Sequence, residues 1–227
     1  MSVEISGLWY SYPDGTPALK NINLKIGPGE RVALMGANGS GKTTLLLVLA
    51  GIFRGKGAVA VLGEHNLERN RGRIGLVFQN PDDQLFMPSV FDDVAFGPIN
   101  LRLDHVDQRV AQALERVGLP GYERRCPHHL SFGEKKRVSI ATVLSMEPEL
   151  LLLDEPTATL DPRGKWQLLQ ILDQLPQTMV VATHDSGVAS RVCPRTVLLN
   201  GGSIAADGST DRLLSDEPLL EESGLKV

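Results

Sequence analysis

The stretch Gly36-Ala37-Asn38-Gly39-Ser40-Gly41-Lys42-Thr43 decides the fold, because it is a complete phosphate loop of the pattern G-x-x-x-x-G-K-T. An apolar run at 32–35 precedes it and a helix-like run at 44–50 follows it, which is the strand–loop–helix context that the motif requires. Its glycines let successive backbone N–H groups converge on a chain of phosphates, and the helix N-terminus adds positive potential. The motif predicts binding of a nucleoside triphosphate.

Two side chains of this loop have specific predicted tasks. Lys42 has the length to reach the β- and γ-phosphates, and the Thr43 hydroxyl suits a Mg²⁺ ion. The other predicted nucleotide contacts of the loop are Asn38, Gly39, Ser40, Gly41 and Thr44. A glycine-rich surface turn is the alternative interpretation, and the flanking strand and helix patterns argue against it.

Composition narrows the classes of function. The 227 residues suit one large domain, and a formal net charge of −4 gives no overall basic surface for nucleic acid. Two distant cysteines, Cys126 and Cys193, indicate a reducing compartment rather than a disulfide framework. No apolar run approaches the ~20 residues that span a bilayer, and the N-terminus lacks a signal-peptide pattern. We therefore expect a cytoplasmic protein that meets a membrane only through a partner.

Strand and helix patterns alternate along the rest of the chain. Segments 3–10 and 21–26 predict a short antiparallel layer, and 59–63 and 74–78 predict further strands. Residues from about 80 to 145 predict an inserted helical subdomain. The further β runs are 150–153, 179–182 and 196–199, and the first of these is four leucines, typical of a buried parallel strand. The order predicts an α/β sheet with phosphate chemistry at the carboxyl ends of its strands.

Two helices have predicted apolar faces. In the first, the inward residues at helical spacing are Val106, Val110, Leu114 and Val117, and Gly118 to Gly121 ends the helix. In the second, which follows Pro162, the residues predicted to point inward are Trp166, Leu169, Ile171 and Leu172.

Two carboxylates, Asp154 and Glu155, end the four-leucine strand. Asp154 is suited to hold Mg²⁺, directly behind its ligands or through a water. Glu155 is suited to polarise a water for in-line attack on the γ-phosphate. A solvated strand end is the alternative, and the phosphate loop upstream favours the functional interpretation.

The segment Leu130-Ser131-Phe132-Gly133-Glu134-Lys135-Lys136-Arg137 opens a helix with an exposed hydroxyl and free backbone donors. Such a helix N-terminus can bind an anion, although a plain serine N-cap is the simpler explanation in isolation. Its position shortly before the acidic strand favours the anion site.

With these segments in this order, the chain resembles the ATP-binding-cassette (ABC) ATPases over essentially its whole length. The resemblance implies an α/β fold: a P-loop NTPase core of the RecA-like type, an antiparallel β-subdomain and an inserted α-helical subdomain. It implies one domain over 1–227, with 1–80 and 145–227 as the catalytic core with its β-subdomain and 81–144 as the helical subdomain with the signature helix. ATP and Mg²⁺ are the implied cofactors.

The resemblance also assigns roles residue by residue. Tyr12 matches the base-stacking aromatic, with Tyr10 as its rival, and Asp161 in Ala158-Thr159-Leu160-Asp161 matches the D-loop. The catalytic set is Glu155, His184 and Gln79; the signature contacts are Ser131, Gly133 and Glu134; and the implied Mg²⁺ ligands are Thr43, Gln79 and Asp154. The simpler alternatives are a turn aromatic for Tyr12, a polar strand end for Gln79 and a capping histidine for His184.

Two features depart from or fall outside this pattern. The signature has Phe132 where the family usually has glycine and Glu134 where it has glutamine, and the phenylalanine adds bulk beside the approach to Ser131. Cys126-Pro127-His128-His129 invites a metal interpretation, but a structural zinc site needs four ligands and no second cluster is near. We expect that segment to be a loop.

The segments 77–86 and 94–101 are similar to the ATPase subunits of energy-coupling-factor importers, which take up transition-metal ions (cobalt or nickel) or vitamins. The implied partners are a transmembrane importer subunit, held in a groove near Phe86 and Met87, and a second ATPase subunit in a homodimer or heterodimer; no nucleic acid is implied. Core packing is the other explanation of those apolar residues. The implied location is peripheral, at the cytoplasmic face of the cell membrane.

Rival functions remain at this stage. A soluble ABC ATPase that acts mechanically on a nucleic-acid or ribosome complex is one, but those proteins carry coiled-coil insertions or two cassettes, whereas about 90 residues without heptads separate Lys42 from Ser131. A regulatory module without turnover is the other, and intact Glu155 and His184 argue against it.

Overall fold

The computed structural model describes residues 1–225, so the last two residues of the predicted domain lie outside it. Nine strands are described: β1 Val3–Ser11, β2 Pro17–Ile26, β3 Arg31–Met35, β4 Lys56–Val61, β5 Ile74–Val77, β6 Leu150–Asp154, β7 Thr178–Ala182, β8 Arg195–Asn200 and β9 Ser203–Ser209. The α-helices described are α1 Lys42–Leu49, α2 Val90–Asn100, α3 Val106–Arg116, α4 Phe132–Leu144, α5 Pro162–Gln174, α6 Ser186–Val192, α7 Thr210–Leu214 and α8 Glu217–Glu222. No helix within 1–225 is long and apolar enough to cross a membrane.

The strands form two sheets. A three-stranded antiparallel sheet has the order β2-β1-β4, and a six-stranded sheet has the order β5-β6-β7-β3-β8-β9. The first five strands of the larger sheet are parallel, and β9 pairs with β8 in the antiparallel direction. The predicted antiparallel layer and parallel α/β sheet are both present. The strand predicted at 59–63 begins and ends earlier in the structure: β4 covers Lys56–Val61 and pairs with β1.

The four leucines of β6 show how the layers pack. All four are fully buried, and they alternate between two apolar cores. Leu151 and Leu153 face the core under the helices, whereas Leu150 and Leu152 face the core shared with the antiparallel sheet. A strand covered on both faces has no position for a polar residue, which explains its unbroken apolar sequence.

The helices α2, α3 and α4 lie between β5 and β6 in the chain and pack against one another, as the helical insertion of the predicted fold class requires. In α3 the predicted face is confirmed: Val110 and Leu114 are fully buried, Val106 packs against the same core, and Val117 caps the helix. Gly118 follows in the left-handed conformation (φ 69°), as a helix-ending glycine does. The subdomain boundaries at residues 80 and 145 stay a prediction.

The prediction for α5 was wrong at one position. Leu169 and Leu172 are buried and Ile171 packs against the core, but Trp166 is 60% exposed. Leu168 takes the inward position on this helix. The spacing of Trp166 from Leu169 is compatible with one face, and helical periodicity alone does not define the edge of a buried stripe.

Candidate active site

The sheet order places the predicted catalytic segments side by side. Gln79 follows β5, Glu155 follows β6, His184 follows β7 and the phosphate loop follows β3, and these four strands are consecutive neighbours. Their carboxyl ends open into a cleft of about 500 Å³. The predicted residues that line it are Tyr12, Asn38, Gly39, Gly41, Lys42, Thr43, Thr44, Gln79, Asp154, Glu155 and His184.

The phosphate loop is closely packed from below. Lys42 is buried and its Nζ donates to the carbonyl oxygens of Gly36 (2.7 Å) and Ala37 (3.1 Å). Burial lowers the pKa of Lys42, and the carboxylates of Glu155 and Asp154 oppose that effect. Gly36 is obligatory, because a Cβ there would lie 2.2 Å from the Leu199 carbonyl oxygen. The Ser40 side chain is buried and is not among those that line the cleft, so its predicted contact with nucleotide stays a prediction.

Thr43 and Asp154 form the group with the chemistry of a Mg²⁺ site. The Thr43 hydroxyl donates to Asp154 Oδ2 at 2.8 Å, while Asp154 Oδ1 is buried without a hydrogen-bond partner among the described residues. Burial raises the pKa of Asp154, and the Thr43 hydrogen bond works against this. An orphaned buried carboxylate oxygen beside a threonine hydroxyl fits a hard divalent cation that binds oxygen ligands. Gln79 lines the same cleft.

Glu155 and His184 form a direct pair. His184 Nδ1 lies 2.7 Å from Glu155 Oε1, which also accepts the His184 backbone N–H at 3.1 Å. Because an ionised carboxylate only accepts, this contact assigns the proton to Nδ1 and leaves Nε2 free. Glu155 has a left-handed backbone (φ 42°), which costs a non-glycine residue about 1–2 kcal/mol. Strain of this kind is found where the position of a side chain matters for function.

The structure separates the two aromatic candidates. Tyr12 lines the cleft, and its hydroxyl lies 2.8 Å from Thr44 Oγ1, whereas Tyr10 stacks on Phe53 with ring centroids 5.0 Å apart. Tyr10 is not among the residues that line the cleft, whereas Tyr12 is, and the base-stacking role stays a prediction.

The signature residues lie in a second, separate groove. Ser131, Gly133, Glu134 and Asp161 line this groove of about 300 Å³, together with Arg137 and Arg163. Ser131 is the N-cap of α4 and forms a reciprocal capping box with Glu134, and Asp161 caps α5 through the Gly164 N–H at 2.7 Å. Within one subunit these residues therefore do not meet the phosphate loop.

Sequence reasoning missed several residues of the site. Thr16, Pro17 and Ala18 line the cleft around the start of β2, and no site role was predicted for them. Lys136 is fully buried beneath the cleft, although a Lys-Lys-Arg run is typical of a solvated surface. No group of three or more His, Cys, Asp or Glu side chains that could hold a metal ion occurs in residues 1–225, and the segment around Cys126 forms a short 3₁₀ turn over Pro127–His129.

Comparison with known proteins agrees with this geometry. The model of the family described as ABC transporter matches residues 19–158. The energy-coupling factor transporter ATP-binding protein EcfA of Methanothermobacter thermautotrophicus is 48% identical, over 99% of this chain and 76% of that protein. CbiO1 of Clostridium perfringens, part of the CbiONQ ABC transporter complex, has a TM-score of 0.85 and 37% identity, over 100% of this chain and 95% of that one.

A dimeric ATP-binding cassette in a post-hydrolysis state, bound to ADP and phosphate, has a TM-score of 0.82 and 29% identity, with coverage of 92% and 98%. The predicted P-loop NTPase fold and ATPase activity are thereby confirmed, and so is the resemblance on which they rested. The chain belongs to the ABC transporter family, as an ATP-hydrolysing ATP-binding subunit of the energy-coupling-factor type.

Proposed function

We propose that this chain powers uptake of a transition-metal ion (cobalt or nickel) or a vitamin, by hydrolysing ATP at the cytoplasmic face of the membrane. The observation that carries the catalytic part is the Glu155–His184 pair, which lies at the wall of the cleft that the phosphate loop lines. A carboxylate and an imidazole beside a triphosphate site are the groups that in-line attack by water needs.

Each residue of the cleft has a distinct part in this reaction. Tyr12 stacks on the base, and the backbone N–H groups of the phosphate loop with Lys42 hold the β- and γ-phosphates. Glu155 accepts a hydrogen bond from the attacking water and orients it. His184 Nε2 contacts the γ-phosphate while Nδ1 stays bonded to Glu155, so a single pair links the water to the phosphate.

Thr43, Asp154 and Gln79 are the residues that would hold Mg²⁺. The unpartnered Asp154 oxygen and the adjacent Thr43 hydroxyl support this assignment. When bound, the ion neutralises charge on the β- and γ-phosphates.

A second ATPase subunit completes each site. Ser131 and Gly133 lie in a groove apart from the cleft of their own subunit, with Arg137 and Arg163 beside them. Two chains around a two-fold axis would bring this groove, with its two arginines and the N-terminus of α4, onto the opposing triphosphate, which gives two composite sites. Phosphate release then removes the charge that attracts the signature helices, and the pair opens.

The membrane subunit docks on the helical insertion. Phe86, Phe96 and Ile99 are 60%, 44% and 59% exposed, and the two phenylalanine rings stack edge to face at 5.2 Å. Phe86 follows the Gln79 segment, so a helix seated on this surface would sense movement of the cleft. Asp93 shapes the surface, because its buried Oδ1 accepts the backbone N–H groups of Phe86 (3.0 Å) and Met87 (3.1 Å).

Replacement of Glu155 by glutamine tests the catalytic proposal. The variant keeps the volume and one acceptor but loses the charge that orients water, so kcat should fall by about 10²- to 10⁴-fold with little change in ATP affinity. Phosphate release and equilibrium ATP binding measure the two effects. The control is Glu115→Gln, at an exposed position on α3. Undiminished turnover by Glu155→Gln would refute the role of Glu155.

A further inference from the structure

Lys136 is a charged side chain in the interior of α4. It is fully buried, and its Nζ donates to the backbone carbonyl oxygens of Phe78 (3.3 Å), Gln79 and Glu155 (3.4 Å). An ammonium group has three N–H donors, so these three carbonyl groups use all of them.

A buried charge at this position has a cost that its contacts must offset. Within residues 1–225, Lys136 makes no ion pair, unlike its neighbour Lys135, which pairs with Asp82 at 2.7 Å. Burial lowers the pKa of Lys136 to about 8, while the nearby charges of Asp154 and Glu155 oppose this, so the group is largely protonated at neutral pH. An apolar residue at this position would pack without the desolvation cost of a buried ammonium group. The presence of lysine therefore needs an explanation, and its hydrogen bonds to the carbonyl groups supply one.

The three carbonyl groups belong to two segments of the active site. Phe78 and Gln79 directly follow β5, and Glu155 directly follows β6. Lys136 itself lies little more than one turn beyond Ser131, the N-cap of α4. A single side chain therefore joins the signature helix to both segments that reach the cleft.

We propose that Lys136 is a positioning residue that holds Gln79 and Glu155 in a fixed relation to the signature helix. Movement of α4 toward the partner subunit's triphosphate is thereby transmitted to the water-orienting group of its own cleft. This inference rests on the proposed function, because it uses the roles assigned there to Gln79, Glu155 and Ser131.

Lys136→Met in the full chain tests this role, since methionine fills a similar volume without N–H donors. We expect kcat to fall at least about tenfold, which corresponds to about 1.4 kcal/mol in the activation barrier, while the Kd for ATP stays within about twofold. Lys136→Arg retains charge and donors and should recover much of the lost kcat. The control is Lys25→Met, at an exposed lysine of the antiparallel sheet.

Hydrogen exchange provides a readout that does not need turnover. The Phe78 N–H donates to Gln84 Oε1 at 3.3 Å, and this segment loses its anchor in Lys136→Met. We expect faster exchange in peptides covering 78–84 and unchanged exchange in the β8–β9 hairpin. Wild-type kcat and wild-type exchange in Lys136→Met would overturn the inference, as would no recovery of kcat by arginine.

A folding failure is also decisive. If Lys136→Met does not fold, Lys136→Gln, which keeps amide donors on a shorter side chain, replaces it with the same expected fall in kcat. Unfolding of both neutral variants would overturn the inference, because Lys136 would then be a structural residue. Undiminished turnover in Glu155→Gln refutes the proposed function itself, whereas a wild-type-like Lys136→Met beside an inactive Glu155→Gln refutes only the role of Lys136.

Discussion

Replacement of Glu134 by glutamine would show how the signature helix is held at its N-terminus. Glu134 Oε2 accepts the backbone N–H of Ser131 at 2.8 Å and its hydroxyl at 2.7 Å, and Oε1 accepts the Tyr122 hydroxyl at 2.7 Å. These hydrogen bonds, the Ser131 hydroxyl first, lower the pKa of Glu134 from its ordinary 4.5 to about 2. Glutamine can cap the helix but carries no charge.

The pKa difference sets the size of the effect. At about 1.36 kcal/mol per pKa unit, the ionised form contributes at most about 3.4 kcal/mol to folding at neutral pH. Because the Glu134 side chain keeps contact with water, screening reduces this to about 1–2 kcal/mol. A lowered pKa gives stability that is present above pH 4.5 and is lost as the pH falls toward about 2. The Glu134→Gln variant should lack that contribution at pH 7. Its free energy of unfolding should also change less with pH below 4.5 than that of the wild type.

Urea unfolding between pH 7 and pH 3.5 measures both quantities. Glu115→Gln, at an exposed position on the adjacent helix α3, is the matched control and should behave as wild type. The reasoning is refuted if Glu134→Gln changes the free energy of unfolding at pH 7 by no more than this control, or if its stability falls below pH 4.5 as steeply as that of the wild type.

Two further predictions concern the contact of Gly224 with the phosphate loop and the exposed surface at Phe86. Gly224→Ala should weaken ATP binding about threefold or more, because Gly224 has a left-handed backbone (φ 69°) and a Cβ would lie 2.9 Å from Ala37 Cβ in the phosphate loop. Equal weakening by Gly121→Ala, which has φ 81° but nothing within 4 Å, would contradict this. Phe86→Ser should abolish co-purification with the membrane subunit and preserve basal ATPase activity, whereas Trp9→Ser, at another exposed aromatic, should preserve both. Retained co-purification of Phe86→Ser would remove that surface from the docking site.

Much of the fold was predictable because its signals are local. The phosphate loop requires a strand before it and a helix after it, and β3 and α1 occupy those positions. The four leucines of β6 indicate a strand buried on both faces, since no polar position interrupts them. The exposed Trp166 shows the limit of this reasoning, because amphipathic spacing does not reveal how wide a neighbouring layer is.

The site was predictable only where a motif marks it. Gln79, Glu155 and His184 each follow a strand, and strand ends can be recognised in sequence, but the order of strands in the sheet cannot. Lys136 was not predictable, because its neighbours Lys135 and Arg137 make it look like part of a solvated charged run. Its burial follows from the packing of α4 against β5 and against the helices α2 and α3.

The sequence by itself determined that the chain has a phosphate loop, an acidic strand end and a signature helix, since these depend on backbone conformation and residue chemistry over a few neighbouring positions. Only the tertiary structure decided which of these segments share a cleft. The parallel order β5-β6-β7-β3 brings Glu155 to His184, while the path of α4 carries Ser131 to a separate groove. Strand pairing and helix packing join residues more than a hundred positions apart, and local sequence patterns hold no information about distances of that kind.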